Sequence, residues 1–506
     1  MKKALISAWE TKPLACIMAA GFFFRMLAVF FSKGYGMSDD HFLIIEAAQY
    51  WVDYGFRHWL PTVGATTPDG HSLFYSGIHY YIFLCLKWLG INNPQGKMYI
   101  IRLLHAVWSM FTIYFGYKIA KSAAGQKTAN RVGLILALLF FFPMFSVRNL
   151  VEMVCIPPLV IGTWFMTEPA RKDRLSSFAW AGLLFGIAFN IRFQSLFFVG
   201  GAGLVLIFER HWKKLFMFSL TCFITIFLVQ GVADMVIWKR PFAEFFEYVN
   251  YNLQNKYAYS TGVWYKYILL IGGILIPPVS LFLIFGYLRS WRRYSMLFLP
   301  AFVFLVFHSM FPNKQERFIL PVIPFIIILG CIGWKEYLVT SGFWKNKTQL
   351  LNRCWGFFWT VNCLLLPLVS TTYSKKSRVE AMVYLSHRTD LKSLLVEERT
   401  EDNAEMCPIY YLGRWDVNII YLTKKDSSIR SLYRQLQNYP DTKYPDYIIF
   451  VGSENINTRV SQFRAVYPGL QYLTTIYPSL LDNIMEWLNP VNKNRIAYIY
   501  RFDRPE

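Results

Sequence analysis

Acidic side chains are scarce in this chain: 31 Asp and Glu stand against 52 Lys and Arg in 506 residues, a formal net charge of +21. Charge of either sign is thin, at 16% of residues, whereas 55% are hydrophobic and 19% aromatic. Soluble domains sit nearer about 45–50% apolar. The basic excess would suit nucleic acid if it formed a patch. Instead the cations fall in short clusters between apolar runs, where positive charge fixes membrane orientation, so no nucleic-acid partner is expected. The eight cysteines show no paired spacing, which argues against a disulfide framework and a zinc site. No internal repeat or low-complexity segment stands out. Lys2 and Lys3 precede the first apolar run, but no small-residue cleavage site follows it, so the run reads as a retained anchor.

What is there is a series of hydrophobic runs, the mark of a polytopic membrane protein. Candidate spans fall at about 14–32, 100–120, 132–147, 151–167, 176–190, 193–208, 215–233, 265–287, 295–310, 317–334 and 355–371. The run 75–91 would either cross or lie at the interface as an aromatic half-helix. Charge decides between them. If 75–91 does not cross, the clusters at Lys121, Lys127 and Arg131, at Arg171, Lys172 and Arg174, at Arg210, Lys213 and Lys214, at Arg289, Arg292 and Arg293, and at Lys335, Lys345, Lys347 and Arg353 share one side. That gives about eleven crossings, the N-terminus inside and the tail outside. Residues 1–371 are expected to form the membrane domain, with 33–99 its first outer loop, and 372–506 a small α/β domain outside the membrane. In the tail, strands are expected at 409–412, 447–451 and 496–500 and helices at 428–436 and 460–467. The tail carries no phosphate-binding glycine fingerprint, catalytic triad pattern or metal spacing.

The scarcity of acid makes one stretch conspicuous. Met37-Ser38-Asp39-Asp40-His41-Phe42 sets two adjacent carboxylates at the outer end of the first span. Acid beside a bilayer is costly without a task or a partner. Asp39 reads as a catalytic base; the rival reading is a helix N-cap. Other polar residues left at outer span ends are Arg148 and Glu152, Arg192, Asp234, and Lys314-Gln315-Glu316-Arg317. Singly, such cations snorkel to the interface. Several on one face, together with carboxylates, point to a shared site for an anion. Outside the cytoplasm a sugar activated on a lipid phosphate suits such a site. Its transfer needs a carboxylate to take the acceptor's proton, cations to stabilise the departing phosphate, and an apolar groove for the lipid. A single base with direct displacement inverts the anomeric carbon.

At this point the residues resemble a family. Asp39-Asp40-x-Phe42 is similar to the acidic motif of polyprenyl-phosphate-sugar-dependent glycosyltransferases of the GT-C superfamily. His308-Ser309-Met310-Phe311-Pro312-Asn313-Lys314-Gln315-Glu316-Arg317-Phe318 resembles the His-Lys-Glu-x-Arg-Phe segment of the Alg9-like mannosyltransferases, which build GPI anchors and lipid-linked oligosaccharides. The resemblance spans about residues 20–335 and implies a helical GT-C membrane fold with interfacial helices in the first outer loop. It implies Asp39 as the base, with Asp40 orienting it or the acceptor. Lys314 and Arg317, with Arg148 or Arg192, would hold the donor phosphate. Glu46, His79, Glu152, Asp234, His308 and Glu316 would serve the acceptor or support these groups; Glu46 would otherwise pair with an arginine such as Arg25. The family's Asp-Glu is shortened to Asp39-Asp40, its His is Asn313 and its Glu is Gln315. The expected partners are a lipid-linked sugar donor and a glycan or glycolipid acceptor, with no cofactor and no required metal, although two neighbouring acids would bind a divalent ion weakly. The alternatives are a flippase or transporter of an anionic glycolipid, and a GT-C transferase of another sugar such as aminoarabinose. The lone sequon, Asn346-Lys347-Thr348, falls in a loop placed inside, which favours a bacterial inner membrane and a periplasmic site over an endoplasmic-reticulum membrane and a lumenal one.

Overall fold

Where apolar runs meet lipid the backbone must satisfy its own N–H and C=O groups, and helices are the local answer. A computed structural model describes residues 2–56, 68, 70–399, 401–425, 429, 445–488 and 493–503. Among the described residues, helical stretches long and apolar enough to cross a membrane are Pro13–Phe31, Pro94–Ala124, Trp212–Trp238 and Glu316–Thr340. Shorter apolar helices occupy Val151–Thr167, Leu175–Ile191, Phe193–Phe208, Val279–Arg289 and Ser295–Met310, close to the runs read from hydropathy. The ambiguous run at 75–91 is a helix, Leu73–Trp88.

Packing divides the chain into two units. The first comprises Met1–Phe31, Phe56–His79 and Ile100–Thr371. Its tightest helix pairs meet at glycines, as expected where lipid removes the hydrophobic drive between helices and close backbone contact takes its place. A Cβ on Gly182 would lie 2.3 Å from Phe218 O, and one on Gly286 would lie 2.1 Å from Gly330 O. Arg25, buried in the first span, is held by uncharged acceptors from its own and neighbouring helices. Its Nε donates to Ser109 Oγ (2.7 Å) and its Nη1 to Ala137 O (3.0 Å), at the end of helix Gln126–Leu138. Asn362 spans the break after that helix, accepting from Phe140 N–H and donating to Leu138 O, both at 2.8 Å.

The second unit comprises Ser32–Gly55, Tyr80–Tyr99 and Thr372–Glu506, so the acidic stretch packs with the tail. The tail folds as a five-stranded mixed sheet of β1 (Ser393–Glu398), β2 (Asn418–Thr423), β3 (Tyr447–Val451), β4 (Leu470–Ile476) and β5 (Ala497–Phe502), in the order β2-β1-β3-β5-β4. β1 runs parallel to β2 and β3; β5 runs antiparallel to β3 and β4. Leu395, Ile448, Phe450, Phe463 and Phe502 form its apolar core with helix Ile456–Arg464. Behind that core Arg459 meets Glu397, its Nε donating to Oε2 at 2.9 Å. The strands expected at 447–451 and 496–500 are β3 and β5. Residues 409–412 are not a strand. Pro408 precedes them, Gly413 closes them at φ +70°, and the segment winds as a 3₁₀ turn, Ile409–Leu412. Apart from Ile429, the helix expected at 428–436 lies outside the described residues.

Candidate active site

The acidic turn occupies Ser38–Asp40. The residue capping it is Met37, and no side chain caps the turn, so Asp39 is not the N-cap of the rival reading. Asp39 is exposed and Asp40 is 5% exposed. The chain then widens into a π-helix, His41–Glu46, before the α-helix Ala47–Tyr54. Such wide turns are rare and gather at functional sites. Glu46 is buried and accepts the Tyr410 N–H at 2.9 Å, with His41 Nε2 at 3.4 Å, rather than pairing with Arg25.

In the first unit, Glu152, Arg192 and Arg317 come together. Glu152 Oε1 lies 2.6 Å from Arg192 Nη1 and 3.5 Å from Arg317 Nε. Both guanidinium groups lie over the Phe318 ring, 5.3 and 5.7 Å from its centroid. The chain leaves helix Leu175–Ile191 in an extended conformation at Arg192, and Gln194 two residues on accepts from that side chain. Gln315 accepts from Arg317 Nε, at 2.9 Å. Tyr248, from helix Ala243–Gln254, bonds Gln194; burial pushes its phenol up, against the pull of Arg192 and Arg317. Fixed forks of this kind suit planar, multidentate recognition of phosphate.

The remaining expected residues are placed differently. Lys314 is buried, and its ammonium donates to the carbonyls of His308 (2.7 Å), Ser309 (2.8 Å) and Phe311. Those three acceptors match the three donors of an ammonium, so Lys314 caps the C-terminal end of helix Ser295–Met310. Glu316 pairs with Lys266 at 3.1 Å in an exposed contact of small energetic weight. His308 is buried, with Nδ1 on Phe304 O at 2.8 Å and its ring stacked on Phe304. Arg148 is buried just past helix Phe142–Ser146. His79 is buried: its ring stacks on His105 with centroids 5.7 Å apart, and Tyr75 OH bonds His105 Nε2. His105 went unnoticed because a lone histidine inside an apolar run carries no pattern.

Asp234 anchors a second cluster. Gln230 donates to its Oδ1 at 2.9 Å, and the Glu244 N–H to its Oδ2 at 3.2 Å. Glu244, missed in the sequence, accepts from Trp238 Nε1 (2.8 Å) and from the N–H groups of Gly70 (2.7 Å) and His71 (3.1 Å). Gly70 has φ +75°, and a Cβ there would press on the Tyr248 backbone. The cluster therefore ties the segment just before helix Leu73–Trp88 to helix Ala243–Gln254. Burial pushes the Glu244 carboxyl up to about 7, against those hydrogen bonds. The folded value exceeds the unfolded value of about 4.3, so the stability from this group is full below about pH 4.3 and is lost as pH rises through about 7. Thermal unfolding should show the wild type losing stability across that window relative to Glu244→Gln. Parallel curves would refute the assignment.

Among the described residues no group of three or more His, Cys, Asp or Glu is placed to hold a metal ion. Residues 16–410 match the Alg9-like mannosyltransferase family. The chain belongs to that family. Two relatives are GPI mannosyltransferase 3 of Saccharomyces cerevisiae, 22% identical over 59% of this chain and 52% of its own length, and human Alpha-1,2-mannosyltransferase ALG9, 24% identical over 56% and 50%. The chain spans about half the length of the curated relatives it matches. ArnT from Cupriavidus metallidurans, in a structure bound to undecaprenyl phosphate, aligns with 98% of this Alg9-like chain and 100% of its own at 13% identity and a TM-score of 0.61. The apo oligosaccharyltransferase of Archaeoglobus fulgidus aligns over 87% and 70% at 8% identity and a TM-score of 0.50. These likenesses are of fold, and the fold is the GT-C architecture expected from the sequence. With its helices of spanning length, this Alg9-like chain is a multi-pass membrane protein.

Proposed function

We propose that the protein is an inverting glycosyltransferase that moves a sugar, mannose by its family, from a polyprenyl-phosphate donor to a lipid-linked or glycan acceptor. The observation that carries the reading is the convergence of Arg192 and Arg317 on Glu152 above Phe318. Two oriented guanidinium groups hold the phosphate and stabilise the charge that builds on it as the glycosidic bond breaks. Asp39 takes the proton of the acceptor hydroxyl as its oxygen attacks the anomeric carbon. Asp40 supports that carboxylate, and Lys314 acts indirectly, by fixing the loop that presents Arg317. The family membership supports mannose, and the ArnT complex supports a polyprenyl phosphate as the leaving group. Charge sorting supports a reaction on the non-cytoplasmic face, and the placement of the one sequon favours a bacterial periplasm over an endoplasmic-reticulum lumen.

The test offers the full chain in lipid nanodiscs a choice of donors, with a membrane lipid extract as acceptor. Polyprenyl-phosphate mannose should be consumed in preference to polyprenyl-phosphate glucose or aminoarabinose, and the product should carry the inverted anomer. Preference for another sugar removes mannose from the reading. Movement of donor lipid across the bilayer without bond cleavage removes the enzyme.

A further inference from the structure

The wide turn after the acidic pair needs its own explanation, because a π-helix gives up α-helical hydrogen bonding unless something holds it. Here the Ala47 N–H reaches back five residues to Phe42 O. In an α-helix, residues five apart point about 140° away from each other. The π register is what brings His41 over Glu46, at 3.4 Å. His41 is fully buried and lies flat between two tyrosines. The Tyr35 centroid is 4.5 Å away with planes at 14°, and the Tyr411 centroid is 5.4 Å away with planes at 7°.

One jaw of this sandwich belongs to the tail. Tyr411 lies in the 3₁₀ turn Ile409–Leu412, whose Tyr410 N–H donates to Glu46. The same turn is tied to the first outer loop by Tyr410 OH on Pro94 O (3.3 Å), and just beyond it Trp415 Nε1 reaches Asp53 Oδ2 (3.0 Å). Tyr35 is steadied by its own tail contact, with Lys375 Nζ 5.0 Å from its ring centroid.

We propose that His41 is a positioning residue: clamped between Tyr35 and Tyr411 and packed against Glu46, it holds the π-turn that sets the direction of Asp39 and Asp40. This inference rests on the reading of Asp39 as the base. Excising one residue's worth of turn, as relaxation from π to α would, rotates everything before it by about 100°. The carboxylates would then point elsewhere, while the groups that bind donor stay as they are. His41 itself touches no substrate in this scheme.

The experiment compares full-length wild type, His41→Ala, Tyr411→Ala, Tyr411→Phe and Asp39→Asn in nanodiscs, with polyprenyl-phosphate mannose as donor. Loss of the clamp in His41→Ala or Tyr411→Ala should lower kcat by about 10–100-fold with the donor KM within about threefold, a split expected of misdirected rather than missing groups. Tyr411→Phe, which keeps the ring, should recover most of the rate. Hydrogen exchange should quicken over residues 38–46 in the two alanine variants and stay unchanged in the tail's β-strands. If either alanine variant fails to fold, the other carries the comparison, since one lies in the turn and one in the tail. Wild-type kcat in both alanine variants, beside an inactive Asp39→Asn, overturns the clamp and leaves the base in place. Slow alanine variants beside an active Asp39→Asn overturn the base instead. A rise in donor KM with kcat unchanged also defeats the clamp.

Discussion

Asp39→Asn is expected to cut transfer from polyprenyl-phosphate mannose by at least about 10²-fold, the usual contribution of a general base being about 10²–10⁴. The amide is nearly isosteric and should leave the turn Ser38–Asp40 and the π-helix behind it in place. Donor affinity should therefore hold, because the phosphate is assigned to Arg192 and Arg317. Stopped assays with labelled donor, alongside equilibrium binding of the same lipid, separate the two quantities. Asp40→Asn should cost less, since Asp40 is buried and the proton is assigned to Asp39. A variant at position 39 that keeps more than a tenth of the wild-type rate would mean that the proton leaves by another route. A variant that loses donor binding as well as rate would move Asp39 from proton transfer to substrate holding.

Arg317→Ala and Arg192→Ala should each lower kcat/KM for the donor by about 10²–10³-fold, the scale seen when one preorganised partner of a developing anion is removed. Arg317→Lys should recover little of it. An ammonium cannot reproduce a fork that reaches Gln315 and Glu152 while lying over Phe318. Glu152→Gln is the informative companion. It leaves both cations but loosens the carboxylate that aims them, so donor KM should rise while transfer at saturating donor survives. Glu152 and Arg192 are buried and Arg317 is half-buried, and thermal unfolding of each variant shows whether the fold persists. Unchanged donor kinetics in folded Arg192→Ala and Arg317→Ala would detach the phosphate from this cluster.

Much of this was legible in the chain itself, for physical reasons. Hydropathy marks membrane helices because the bilayer leaves the backbone no alternative. Asp39-Asp40 stands out because so few acids lie beside lipid, and Arg317 because a cation on the outer side defies the charge sorting of the loops. Other features leave no such trace. Lys314 and Arg317 look equivalent in sequence, yet one turns inward to helix-end carbonyls and the other to Glu152; only the path of the loop distinguishes them. Glu46 and His41 sit five apart, a spacing that α-helical periodicity discards. Tyr410 and Tyr411 carry strand-forming side chains, and it is the flanking Pro408 and Gly413 that bend them into a turn. Glu244 belongs to no motif, because its partners at Gly70 and His71 are distant in sequence.

The pairing of Glu46 with the Tyr410 backbone has a bearing on how such proteins diverge. A chimera grafting a relative's sheet onto these membrane helices would keep every strand and every span, yet lose the match between the Tyr411 ring and the His41 imidazole. Residues 32–55 and the 409–412 turn pack in one unit although more than three hundred residues of chain separate them, and a graft has to move both halves together.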